Sequence, residues 1–133
     1  MPTMLRSILL SGMVLLGACS HGPSLQKFEP AHAPGGIEAD LRLAHAQVRG
    51  ELLAVQDTAL IVLSDERKIV LVPVSKVKLG NFGDLGTLIG DWKPGRDTME
   101  RLRLLSRFPA GLTPALRGRL LAAYGQTDVE IVQ

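Results

Sequence analysis

The residues able to do chemistry are few in this chain of 133. Cys19 is the only thiol, so no intramolecular disulfide and no multi-cysteine metal knuckle can form. It is also the only cysteine to which a covalent group can be attached. Leu16, Gly17 and Ala18 precede it, and the two small side chains let a protease approach the extended backbone beside the thiol. His21 and His32 stand eleven residues apart and His45 is isolated from both, with no H-E-x-x-H spacing, no Cys partner and no G-x-S-x-G elbow. Asp57 and the Ser64-Asp65 pair fall at turn positions, where such side chains bond the local backbone. No pair of carboxylates stands out for acid–base work. These residues predict no catalytic centre, no metal site and no cofactor.

The element that positions Cys19 is the segment before it. Arg6 supplies one positive charge and Ile8 to Leu16 (ILLSGMVLL) a nine-residue apolar core, the pattern of a secretory signal. A spanning helix needs about 20 apolar residues, and this run stops well short of that. The sequence Leu16-Gly17-Ala18-Cys19 resembles the lipobox of bacterial lipoproteins. That resemblance implies cleavage before Cys19, a diacylglyceryl thioether on its sulfur and acylation, palmitate being one such group, at the new amino terminus. Each buried methylene contributes about 0.8 kcal/mol, and two or more chains hold a protein on a bilayer. In that family the residue after the lipidated Cys can decide retention, and Ser20 in place of Asp favours the outer membrane, on its periplasmic face, in a cell that has one.

Residues 19–36 read as a tether, with Pro23, Pro30 and Pro34 among small and polar residues. His21 and His32 lie within it and are read as solvated side chains.

From Ile37 the pattern becomes that of strands. Ile37, Ala39, Leu41 and Leu43 alternate with Glu38, Asp40, Arg42 and Ala44, which suits a half-buried strand, while the Ala, Leu, Glu and Arg content of residues 37–47 equally suits a helix. The next three runs, Val48–Val55, Thr58–Leu63 and Lys68–Val74, are separated by Gln56-Asp57 and Ser64-Asp65-Glu66 and predict a three-stranded antiparallel meander. Pro73 lacks a backbone donor, so the third strand should lie at an edge there or bend. Gly50 sits where a strand would need to bend sharply. The run VRGELLAVQDTALIVLSDERKIVLVPVSKVK resembles the strand pattern of SH3-like and Sm-like small β-barrels. The likeness, over residues 48–79, implies a small-barrel fold rather than an activity. It does not bring RNA binding, because the strands lack the aromatic and basic groups that would hold RNA. Nor does it bring a Pro-rich-peptide groove, since no aromatic occurs between Ile37 and Leu79.

Residues 80–96 are Gly-rich and read as a loop packed across the strands, with Phe82 and Trp92 as packing anchors and no phosphate-loop spacing among the glycines. Two helices follow within residues 97–125. Asp97 and Glu100 are spaced as a capping box with Leu102 and Leu105 on one face, while Thr113-Pro114 begins a second helix with the stripe Leu116, Leu120, Leu121 and Tyr124 before Gly125. The prediction is a helical hairpin, then a tail over residues 126–133. The segment RLRLLSRFPAGLTPALRGRLLAAYGQ is similar to a stretch of small bacterial lipoproteins, a likeness that carries no activity. The expected fold class is α+β, an antiparallel meander or SH3-like barrel followed by the hairpin.

Composition narrows function further. A formal net charge of +2 excludes a polycation of the ribosomal kind, and 4% aromatics are too few for a stacking groove. Basic residues are concentrated near the end, where Arg101, Arg103, Arg107, Arg117 and Arg119 would form a face for anionic head groups, at about 1 kcal/mol per residue. The expectation is a membrane-tethered, non-enzymatic lipoprotein of the cell envelope that binds another envelope protein. The alternative is an anionic-lipid binder acting through those arginines. Nucleic acid is excluded as a partner by the implied export.

Overall fold

A computed structural model describes residues 35–90 and 93–133. Leu16, Gly17, Ala18 and Cys19, the tether as far as Pro34 with His21 and His32, and Trp92 lie outside the described residues.

Seven strands form one sheet: β1 (Glu38–Arg42), β2 (Gln47–Val55), β3 (Ala59–Ser64), β4 (Ile69–Pro73), β5 (Leu79–Phe82), β6 (Thr87–Ile89) and β7 (Glu130–Ile131). Two helices accompany them, α1 (Arg96–Leu105) and α2 (Pro114–Ala123). The strand order is β6-β5-β1-β2-β3-β4-β7, antiparallel except where β7 joins β4 in parallel. The two ends of that order, β6 and β7, do not pair with one another, so the sheet is open. The α+β class holds, with most strands preceding the helices.

Within residues 37–47 there is no helix: Glu38–Arg42 form a strand, and a turn over residues 43–46 leads into β2. β1 is flanked on both sides, by β2 and β5, and its inward residues Ala39 and Leu41 are fully buried while Glu38 and Arg42 are exposed. Two-sided pairing overrides the helix propensity of Ala, Leu and Arg. β2, β3 and β4 lie within two residues of the predicted runs, and the Gln56-Asp57 and Ser64–Glu66 turns fall where polar residues interrupt the apolar runs. At Pro73, β4 pairs with Ala59 of β3, while β7 covers only Val70 and Leu71, so the missing donor opposes no ladder partner on that side.

β2 changes face part-way along. Its register with β3 shifts between Leu52 and Ala54, a bulge at Leu53. Val48, Leu52 and Val55 therefore join one core, whereas Leu53 and Ala54 join the other. Gly50 lies just before this bulge, where an added Cβ would overlap the Leu63 carbonyl oxygen. The first core gathers Leu41, Leu60, Val62, Phe82 and Leu102; the second gathers Ile61, Leu63, Ile69, Leu120 and Leu121. Both faces of β3 and β4 are thus covered, which is why those strands read as unbroken apolar runs.

The helices differ from expectation in arrangement. Leu102 of α1 packs in the first core, and the Leu116, Leu120, Leu121 and Tyr124 stripe of α2 packs in the second. They serve opposite faces of the sheet, so no helical hairpin forms. Each helix has its own apolar surface to bury, and the sheet offers more of it than the other helix does. α1 starts at Arg96 with Gly95 as its cap, and Asp97 falls in the first turn, where it meets the positive end of the helix dipole. α2 starts as predicted, with the Thr113 hydroxyl accepting from the Leu116 N–H at 3.2 Å.

The Gly-rich segment is not merely a loop, because it holds β5, a single 3-10 turn over Gly83–Leu85, and β6. Gly80 makes this possible: a Cβ there would lie 3.2 Å from Ile89, Leu41 and Phe82 side chains. Phe82 is fully buried, as expected of a packing anchor. The tail is also structured. The Gln126 side chain takes the Ile69 N–H at 2.6 Å and donates to the Ile69 carbonyl at 3.1 Å, extending the pairing that β7 makes with the next two residues of β4. Among the described residues no helix is long and apolar enough to cross a membrane.

Candidate functional site

The five arginines expected to share a basic face do not come together. Arg101 and Arg103 are two apart on α1, as Arg117 and Arg119 are on α2, which sets each pair roughly 200° apart around its helix. Arg103 pairs with Glu100 at 3.1 Å and Arg117 with Asp128 at 2.8 Å.

Arg107 is spent inside the fold. Its Nε and Nη2 donate to the two carboxylate oxygens of Glu51 at 2.6 and 2.8 Å, and the two side chains are only 11% and 19% exposed. Glu51 also accepts the Gly36 N–H at 2.5 Å. Backbone bonds complete the knot. The Arg107 and Phe108 N–H groups donate to the Leu52 and Leu53 carbonyls at 3.0 and 2.8 Å. Ile37 donates to Leu105 at 2.9 Å and accepts from Leu52 at the same distance. The bulge in β2 turns those two carbonyls away from the regular ladder, and the chain after α1 supplies their donors. Gly36 must be glycine for this approach, since a Cβ would overlap the Leu52 carbonyl oxygen. This junction holds the first described residues, Gly35 to Ile37, against β2 and the end of α1.

A groove opens at the other end of the sheet. Its walls are the β2–β3 turn, the 3-10 turn over Val74–Lys76, the end of β6 and the first half of α1. Two adjoining pockets of about 590 and 390 Å³ share Asp57, Pro94 and Met99 and together make the groove. Each is within the roughly 300–1,000 Å³ of ligand sites. Val74, Val77, Ile89 and Met99 give it an apolar floor. The Val74 N–H donates to the Thr58 carbonyl at 2.9 Å, holding one wall against the other, and Lys78 N–H is tied to the Arg42 carbonyl at 2.7 Å.

The rim is electrically one-sided. Glu100 is neutralised by Arg103, whereas Lys78, Lys93 and Arg96 carry no ion pair among the described residues, against a single unpaired Asp57. No thiol or imidazole is among its described lining residues, and Thr58 and Ser75 supply hydroxyls. Among the described residues no group of three or more His, Cys, Asp or Glu is placed to hold a metal ion. His45 is exposed in the β1–β2 turn, away from both features.

Neither the junction nor the groove was marked in the sequence. Glu51 and Arg107 are 56 residues apart, and the groove's unpaired cations come from two separate segments, Lys78 from one and Lys93 with Arg96 from the other. The one local signal was Gly35-Gly36 just before the first strand, which marked a boundary but not a close approach.

Set against known proteins, the chain matches no family model, no curated protein and no solved structure.

Proposed function

We propose that the protein is a lipoprotein tethered to the cell envelope, whose folded body is a non-catalytic protein-interaction module. One observation carries the reading: an apolar core, Ile8 to Leu16, runs directly into Leu16-Gly17-Ala18-Cys19, with the chain's only thiol at the end. The compact body supports it. Gly35 begins the described chain sixteen residues after Cys19, a separation that an extended tether spans with roughly 50 Å at about 3.1 Å per residue. Ser20 favours the outer membrane, on its periplasmic face. The bent β2 with Gly50 and its bulge supports a small-barrel relationship for residues 48–79, with the barrel left open.

The anionic-lipid reading has less to stand on. It needs the five arginines on one surface, and Arg107 is committed to Glu51 while Arg103 and Arg117 have acidic partners.

The test is recovery of the protein from crosslinked membranes. One stoichiometric envelope protein, absent when Cys19→Ser mislocalises the chain, is the expected result. No partner, together with salt-sensitive binding of the body to anionic liposomes, would overturn it in favour of the lipid reading.

A further inference from the structure

We infer that the groove between α1, the β2–β3 turn and the end of β6 seats an extended, acidic segment of the partner protein; this rests on the interaction-module reading above. Charge complementarity selects the occupant. Lys78, Lys93 and Arg96 stand at the rim without acidic partners among the described residues, where Asp57 is the one lining carboxylate not already paired with a cation. A basic segment would add to an existing surplus of positive charge, whereas carboxylates would neutralise it.

The floor selects for peptide over a bare anion. Val74 and Met99 are half-buried and flank the buried Ile89 and Val77, an apolar strip suited to one or two aliphatic side chains. Thr58 and Ser75 are exposed beside the strip and offer hydroxyls to a peptide backbone. The groove therefore combines apolar anchoring with cationic flanks, the complement of a segment in which Leu or Val alternates with Asp or Glu.

The experiment uses the mature lipoprotein in nanodiscs of zwitterionic phospholipid and short fluorescent peptides with two leucines flanked by Glu, by Lys or by Asn. Anisotropy should rise with the Glu peptide alone and fall back at high salt. Lys78→Glu with Lys93→Glu should weaken that binding by about tenfold or more and improve binding of the Lys peptide. Both lysines are at the rim, and an unchanged thermal melt would show that the fold survives. Binding that ignores peptide charge, binding that the double variant leaves intact, or no binding of any peptide would each overturn the proposal. Capture of the stoichiometric partner by the double variant at undiminished yield would overturn the groove while leaving the interaction-module reading in place.

Discussion

Arg107 reaches back 56 residues to close a two-pronged ion pair on Glu51, and that carboxylate in turn holds the Gly36 N–H. The three residues lie just before β1, beside the bulge of β2 and just after the end of α1. Fixing one of them constrains the other two.

Because both side chains are largely withdrawn from water, truncating either leaves a charge without its partner. Glu51→Ala and Arg107→Ala should each destabilise the fold by about 2–4 kcal/mol. The double variant should cost less than the two losses added together. Denaturant unfolding of all four proteins measures this; strict additivity would mean that the pair is not coupled.

The Gly36 approach makes a steric prediction that does not involve charge. Gly36→Ala must push the first strand away from the Leu52 carbonyl, at a cost of about 2–3 kcal/mol. Gly50→Ala meets the Leu63 carbonyl in the same way and should be similarly damaging. Wild-type melting temperatures for both variants would contradict the observed packing.

Arg67 holds a left-handed backbone at φ 68° in the β3–β4 turn, with its guanidinium 5.1 Å from the centre of the Tyr124 ring. Two effects oppose one another here. The conformation costs roughly 1–2 kcal/mol for a residue with a side chain, and the ring contact returns about 0.5–1 kcal/mol at an exposed site. Arg67→Gly, which removes both, should leave stability near or slightly above wild type, whereas Arg67→Ala keeps the strain and should lose about 0.5–1 kcal/mol. Equal losses in the two variants would show that the backbone conformation carries no penalty.

Phe82 is the largest fully buried side chain among the described residues and packs where β5 lies between β1 and β6. Phe82→Ala should cost about 3–5 kcal/mol by transfer and cavity formation. Since Ile89 at the end of β6 lines the groove and β5 pairs with β6, hydrogen exchange in residues 79–90 should rise more than in β3. Uniform exchange across the sheet would separate the groove wall from this core.

What was legible in the sequence follows from how local each signal is. β2, β3 and β4 announced themselves because β-branched apolar runs met polar turns, and Thr113-Pro114 marked α2 because a cap needs only its next few residues. β5 and β6 were obscured by glycines, of which Gly80 admits Phe82, Leu41 and Ile89 into close contact, a tertiary reason with no periodicity. β7 was hidden in a two-residue strand whose neighbour, Gln126, pairs through its side chain. The arginines misled for a related reason: clustering along the chain looked like a surface, but helical spacing and the Glu51 partner dispersed it. Lys78 gave the opposite case, distant in the chain from Lys93 and Arg96 and brought to the same groove only by the fold.

The central claim is that the chain is held to a membrane through Cys19, and the mass of its amino-terminal peptide tests it most directly. Protein extracted from membranes, digested and analysed by mass spectrometry should yield a peptide that begins at Cys19 and carries a diacylglyceryl group with an additional acyl chain. A mature protein that begins elsewhere, or a Cys19 found as an unmodified thiol, would contradict it.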